Sequence, residues 1–267
     1  MTDPLLTVSH LDVVYESKGF RKSQFHALHD VSLDVYPGET VGLVGESGSG
    51  KSTIGRAILG LVPVTSGNIL FDGADITKAK RVQRRNLASD LQVVFQDPYN
   101  SLNPSMTVGE ILSEPISVTQ LSRADALQRV RVALEQVHLP TDAINRKPHE
   151  FSGGQRQRIA IARALVMEPK LIVCDEPLSA LDLATQSRIV DLLVELQETT
   201  GVAYLFISHD LHLVRYLCHR VNVLQKGRLI ESGNAADVTS KPQEQYTQQL
   251  LNASPIPDPR VQKARVA

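Results

Sequence analysis

The order of β-type and helical runs predicts an α/β fold: a partly parallel sheet, an antiparallel β portion at the N-terminus and an inserted helical lobe. Three observations lead to it. Thr40-Val41-Gly42-Leu43-Val44 enters a glycine-rich turn that opens a helix, a strand–turn–helix unit. Leu171-Ile172-Val173-Cys174 is apolar without alternation, as a parallel strand covered on both faces requires. Between them, residues 96 to 148 carry little strand signal and are punctuated by Pro98, Pro104 and Pro115.

The chain of 267 residues is long enough for one full core, or one core with a lobe. Its 42% hydrophobic and 21% charged residues are ordinary for a folded, water-facing protein. A net charge of −1 lacks the basic excess of a nucleic-acid binder, so no nucleic-acid partner is expected. Cys174 and Cys218 stand far apart, outside any C-x-x-C or His-Cys cluster. They read as buried small hydrophobes rather than a disulfide or a metal pair. No apolar run reaches the roughly 20 residues that span a bilayer. Met1-Thr2-Asp3-Pro4 lacks the basic and apolar regions of a secretion signal, so a cytoplasmic protein is expected.

Taken in order, Leu5 to Tyr15 alternates and reads as a strand; Glu16 to His26, with Gly19 and its charges, reads as a loop. Val31 to Val35 alternates again and stops at the turn signal Pro37-Gly38. The glycine-rich turn follows, with its helix to about Leu61. Gly67–Phe71 and Leu91–Phe95 are further strands, separated by a basic segment, Lys78 to Arg85, that reads as a solvated helix face. In the helical stretch, Ser122 opens an amphipathic helix with Asp125 in its first turn and Leu127, Val130, Leu134 and Val137 at helical spacing. A helix over Gln155–Met167, the strand from Leu171, a helix over Leu183–Thr199 and strands at Val202–Ile207, Val221–Leu224 and Arg228–Glu231 complete the order. From Ser254 onward Pro255, Pro257 and Pro259 predict a loose tail.

Gly45-Glu46-Ser47-Gly48-Ser49-Gly50-Lys51-Ser52-Thr53 carries the strongest chemical signal. Glycines let backbone N–H groups point inward at a polyphosphate, and the helix start adds partial positive charge. Lys51 is placed to reach the β- and γ-phosphates, and the Ser52 hydroxyl to bind Mg²⁺. A Gly/Ser-rich turn can be only a turn, but both glycines, the lysine and the serine match here in the right context. At the end of the apolar strand, Asp175 is placed to hold Mg²⁺ through its water shell and Glu176 to activate a water for attack on the γ-phosphate. Two acids after a strand are otherwise a common strand end. Phe151-Ser152-Gly153-Gly154-Gln155 offers a second anion-facing helix start, or simply a helix cap.

With these stretches together, the chain resembles the ATP-binding subunit of an ABC transporter, over roughly residues 5 to 260. The turn and the Leu171–Glu176 strand match that family's Walker A and Walker B motifs within its P-loop NTPase fold. Ser152, Gly153, Gly154 and Gln155 match the signature, preceded by Phe151 where Leu is commonest. Ser179-Ala180-Leu181-Asp182 matches the D-loop, Gln96 the Q-loop glutamine and His209 the switch histidine. The resemblance implies catalytic roles for Glu176, His209 and Gln96, with Mg²⁺ on Ser52, Gln96 and Asp175. Tyr15 would stack on the adenine; its alternative is a strand-end core position. Phe95-Gln96-Asp97-Pro98-Tyr99-Asn100-Ser101-Leu102-Asn103-Pro104, Pro148-His149-Glu150 and Tyr246-Thr247-Gln248-Gln249-Leu250-Leu251 are similar to the oligopeptide, dipeptide and nickel importer group, and to its F-type ATPase subunit in particular. Glu244-Gln245 depart from it, standing where His-Pro is common, and the tail has no cysteine cluster for an iron–sulfur site.

The resemblance further implies an ATPase core over 1–95 and 166–235, a helical signature lobe over 96–165 and an importer-type tail over 236–267. ATP and Mg²⁺ are the expected cofactors. The expected partners are a second ATPase subunit (a D-type sister or a second copy), two transmembrane permease subunits and, indirectly, an extracytoplasmic solute-binding protein. Docking near Gln96–Ser105 would place the chain peripherally on the cytoplasmic face of the membrane. The expected work is ATP-driven uptake of di- or oligopeptides, with nickel or another small solute as the alternative cargo. A soluble ABC ATPase that does no transport shares the catalytic motifs, whereas a P-loop kinase would need neither signature nor switch histidine.

Overall fold

In the computed structural model, which describes residues 3–16, 24–97, 101–119 and 121–253, alternate apolar side chains along β1 (Leu6–Glu16) turn Leu6, Val8, Leu11 and Val13 into a core. β1 pairs antiparallel with β2 (Gln24–Val35) on one side and β4 (Ser66–Phe71) on the other, and β4 turns into the short β5 (Ala74–Asp75). The resulting order is β2-β1-β4-β5, the expected antiparallel portion. β2 is longer than the sequence pattern indicates. Its first three residues lie inside the stretch read as a loop, and its first half departs from alternation because register shifts interrupt the pairing with β1. Residues 17–23 of that loop lie outside the described residues.

The chain divides into two compact units, one holding residues up to Asn86 and from Ala203 on, the other Leu87–Val202. Besides the antiparallel sheet, the first unit holds β3 (Thr40–Val44), β8 (Ala203–Ser208), β9 (Arg220–Gln225) and β10 (Arg228–Asn234) in the order β10-β9-β3-β8. β3 runs parallel to both neighbours, and every one of its residues is buried. Each fully buried Val or Leu there contributes about 1.5–3 kcal/mol relative to exposure. Gly42 is the small residue this packing needs, since a Cβ there would stand 2.7 Å from Val214 Cγ1 of helix Leu211–Leu217.

Helix α1 (Lys51–Ile58) follows β3, and α2 (Arg81–Leu87) occupies the basic segment. Not all of that segment is solvated. The Arg84 guanidinium is half-buried, donates to the carbonyls of Ile58 and Ile76, and has its pKa lowered by desolvation.

In the second unit β6 (Leu91–Val94) pairs parallel with β7 (Leu171–Asp175), amid helices α3 (Val108–Ile116), α4 (Arg123–Gln136), α5 (Gly153–Leu165) and α6 (Leu183–Thr200). A reciprocal Thr107–Glu110 capping box starts α3, and Pro115 is tolerated in its last turn. Ser122 caps α4 by accepting from the Asp125 amide. Val130, Leu134 and Val137 are buried as their spacing predicts, but Leu127 is 41% exposed, so the apolar stripe is narrower than expected. Helices α7 (Leu211–Leu217), α8 (Ala235–Ser240) and α9 (Gln245–Ala253) belong to the first unit. Cys174 and Cys218 are buried and unbridged. Burial pushes the Cys174 thiol pKa far up, so it behaves as an apolar side chain.

Candidate functional site

The turn between β3 and α1 is a cradle whose backbone only glycine can trace at three points. Gly45, Gly48 and Gly50 have φ of 152°, 80° and 109°. A Cβ on Gly45 would lie 2.1 Å from the Leu224 carbonyl oxygen, and one on Gly50 2.9 Å from that of Ala27. At Gly48 a Cβ would meet nothing within 4 Å. Lys51 is only 3% exposed, and its ammonium donates to the carbonyls of Gly45 (2.8 Å) and Glu46 (2.9 Å), folded back along the loop. The Ser49 hydroxyl is buried and, among the described residues, has no hydrogen-bond partner. A buried orphan hydroxyl, a retracted lysine and an open glycine face fit an anionic ligand that brings its own acceptors.

Other elements of the same unit brace this loop. The turn between β9 and β10 donates from Gly227 N to the Ser49 carbonyl at 2.8 Å. Tyr15, at the end of β1, reaches Thr53 Oγ1 at 3.4 Å, which sets its ring beside the start of α1. Val44 pairs with Ser208, so His209, next after β8, stands at the same strand edge as the loop. There the Asp210 carboxylate accepts from the amides of His212 and Leu213 and starts α7.

One contributor was missed by the sequence reading. The Tyr246 hydroxyl of α9 accepts a hydrogen bond from the Glu46 amide at 3.0 Å. Thr247, Leu250 and Leu251 are buried behind it and hold the helix in place. Burial raises the phenol's pKa, so it stays a neutral hydroxyl. No local pattern could reveal this bond, which joins residues 200 positions apart.

In the second unit, Val94 of β6 pairs with Cys174 of β7, so Gln96 and the Asp175-Glu176 pair follow the same edge of adjacent strands. Glu176 takes the left-handed conformation, φ 48°, unusual for a residue with a side chain. Its carbonyl accepts from the Ser179 amide and hydroxyl, which closes the chain into the turn carrying Ala180 and Leu181. Asp182 then caps α6, accepting from Thr185 N at 3.0 Å and Thr185 Oγ1 at 2.7 Å. The Thr185 hydroxyl and amide hold the Asp182 carboxyl below its usual pKa. Gln186 ties the turn down through the carbonyls of Leu178 and Leu181.

The start of α5 is a complete capping box. Ser152 Oγ accepts from Gln155 N at 3.4 Å, and Gln155 Oε1 accepts from Ser152 N at 3.0 Å. Gly153 opens the helix, and Gly154 sits where a Cβ would come 2.5 Å from Thr185 Cγ2, so the starts of α5 and α6 are in close contact. Phe151 is buried, with the Arg146 guanidinium 4.4 Å over its ring. Arg156 Nε donates to the carbonyls of Pro148 and Phe151, and Arg163, partly desolvated, donates to that of Ser101. Pro98, Tyr99 and Asn100 of the segment after Gln96 lie outside the described residues.

The profile of the ABC transporter family matches residues 28–179, more than half of the chain. The chain belongs to the ABC transporter family.

As an ABC transporter ATPase it has near relatives. A candidate peptide import ATP-binding protein of Brucella ovis is 51% identical over 263 residues, covering 98% of this chain and 82% of that one. The oligopeptide transport ATP-binding protein OppF of Bacillus subtilis is 45% identical over 269 residues, covering 100% of this chain and 87% of its own length. Among solved structures, cbiO1 of Clostridium perfringens, part of the ABC transporter complex cbiONQ, superposes with a TM-score of 0.82 at 32% identity, covering 99% of this chain and all of its own. The ATP-binding cassette MJ0796, a dimer in a post-hydrolysis state with ADP and Pi, gives a TM-score of 0.76 at 29% identity over 86% of this chain and 98% of its own. The cradle, Asp175-Glu176 and the signature all fall inside the matched residues; His209 and Tyr246 lie beyond them. No helix among the described residues is long and apolar enough to cross a membrane.

Proposed function

We propose that this ABC transporter ATPase powers the uptake of di- or oligopeptides from the cytoplasmic face of the membrane, coupled to two permease subunits and paired with a second ATPase subunit. One observation carries the reading: identity to the oligopeptide transport ATPase of Bacillus subtilis runs over the whole chain. A shared ATPase core accounts for likeness within residues 28–179. Likeness that continues through α9 and the tail points to the same kind of transporter.

In this reading Lys51 leaves its carbonyl partners for the β- and γ-phosphates, and the loop amides around Gly48 and Gly50 receive the remaining charge. Tyr15 lies against the adenine. Glu176 accepts a proton from the attacking water, with Gln96 and His209 orienting the water and the γ-phosphate. A hydroxyl, an amide oxygen and a carboxylate are hard oxygen donors, so Ser52, Gln96 and Asp175 suit Mg²⁺, which would neutralise phosphate charge. Ser152, Gly153, Gly154 and Gln155 act on the nucleotide held by the partner subunit, and Ser179–Asp182 lies at the pair's interface. Nucleotide bound by both chains favours the closed pair, and hydrolysis releases it.

The test is reconstitution of the chain with its permease subunits, sister ATPase and solute-binding protein in vesicles. Peptide-stimulated phosphate release together with labelled-peptide uptake is expected. Stimulation by Ni²⁺ but not by peptides would reassign the cargo, and phosphate release indifferent to the permease subunits would end the transport reading.

A further inference from the structure

The antiparallel sheet carries a cluster that the nucleotide chemistry does not use. Asp12 of β1 and His26 and His29 of β2 share its polar face. In a regular strand, residues three apart point to opposite faces. β2 is not regular here. Val14 pairs with His26, Val13 with Leu28 and Leu11 with Val31, so β2 gains an extra residue at each of two successive steps. Ala27 and Leu28 are consequently both buried, and His26 and His29 turn together toward Asp12. Bulges that re-aim side chains in this way accompany sites more often than plain sheet.

The three side chains converge. His26 Nε2 lies 2.8 Å from Asp12 Oδ1, and the two imidazole centroids are 3.7 Å apart. One ligand atom from each residue lies within 4.8 Å of the others. Ser66 Oγ donates to Asp12 Oδ2 at 2.8 Å, which orients the carboxylate so that Oδ1 faces the imidazoles. The His29 amide is held by the Gly227 carbonyl at 2.8 Å. The cluster thus has donors, a hydrogen-bonded outer partner and an anchored backbone.

We propose that Asp12, His26 and His29 bind one divalent transition-metal ion of the zinc class, with water completing the shell. Two imidazole nitrogens and one carboxylate oxygen suit zinc rather than magnesium or calcium, which take oxygen donors. Ligand atoms around a tetrahedral zinc stand roughly 3.3 Å apart, given bonds of about 2.0 Å. The His26–Asp12 pair opens slightly to reach that spacing; the His26 side chain, 41% exposed, has room to rotate. The bound ion crosslinks β1 to β2 beside Ala27, whose carbonyl backs Gly50 of the cradle.

Titration of the metal-free full chain with Zn²⁺ by calorimetry, and with Co²⁺ by visible absorption, both in excess Mg²⁺, tests this. One ion per chain is expected, with a tetrahedral Co²⁺ spectrum and a rise in melting temperature. Asp12→Asn and His29→Ala should weaken binding by more than tenfold, and Ser66→Ala by about tenfold through loss of the outer partner. His10→Ala, at the neighbouring exposed His10–Asp30 pair, should leave it unchanged. His26 is exposed enough that His26→Gln keeps the fold. Full binding by folded His26→Gln, or no stoichiometric binding by the parent chain, overturns the proposal.

Discussion

The cradle after β3 and the proposed signature at the head of α5 are both helix starts rich in glycine and serine, yet they are built in opposite ways. The cradle is left incomplete. Its lysine is folded onto its own carbonyls, its Ser49 hydroxyl is buried without a partner among the described residues, and its glycines adopt conformations closed to other residues. The signature is complete already: serine and glutamine satisfy each other's amides in a capping box. A site that grips its ligand keeps polar groups waiting for it, whereas a surface that completes another chain's site, the role proposed for Ser152–Gln155, can be satisfied while it waits. The turn after β3 therefore stands out by its geometry alone, while the start of α5 looks like any well-capped helix.

That contrast can be broken or sharpened by substitution. The largest effect is expected from Glu176→Gln, which keeps shape and removes the proposed base. ATP should still bind while turnover falls by about 10²–10⁴-fold, read by single-turnover phosphate release. Near-parental turnover would move the base elsewhere, with His209 the first alternative. Lys51→Ala should abolish hydrolysis and weaken ATP binding roughly 10- to 100-fold in equilibrium titration, the worth of a charge-assisted contact at a desolvated site. Unchanged affinity would mean that the retracted lysine never turns to the phosphates.

Ser152→Ala tests the other side. Loss of the cap should cost about 1 kcal/mol of stability, seen as a lower denaturation midpoint. ATP binding by the chain's own Lys51 should persist, while hydrolysis of the nucleotide held by the partner falls. If both fell together, the two helix starts would not serve different nucleotides. Tyr246→Phe removes only the hydroxyl that receives the Glu46 amide, and a two- to tenfold loss of ATP affinity with little change in kcat is expected. An equal fall in kcat would place Tyr246 in the chemistry rather than in support of the loop.

The smallest effect concerns pH. The Asp182 pKa is depressed in the folded chain by the Thr185 hydroxyl and amide. Its contribution to stability is therefore present above the unfolded carboxylate value of about 3.9 and is lost as pH falls through the lower folded value. Thr185→Ala should bring that titration, followed by carboxyl NMR, back toward the ordinary range. An unmoved titration would count against the cap as its cause.

How much of this was legible beforehand depended on distance along the chain. The cradle, the Asp175-Glu176 strand end and the Ser122 cap are local patterns, and the residues that make them are neighbours. The first half of β2 was not legible, because its bulges place Ala27 and Leu28 inward in succession and erase the alternation that marks a strand. Leu127 matched the helical stripe but faces outward, since spacing gives a face and not its width. The basic segment hid Arg84, whose fork is drawn inward by two carbonyls from other elements. Tyr246 could be read only as part of a familiar tail, because its partner is supplied by tertiary packing.

Gly154 and Thr185 set a rule for anyone exchanging parts between related cassettes. The space a Cβ at 154 would need is taken by the Thr185 methyl, 2.5 Å away, while the hydroxyl of that threonine is committed to Asp182. A signature helix transplanted without the head of α6 would meet a foreign side chain at its tightest point. A larger residue at 185 would press on the glycine and disturb the cap in one stroke. These two stretches, some thirty residues apart in the chain, should be inherited and grafted as a single module.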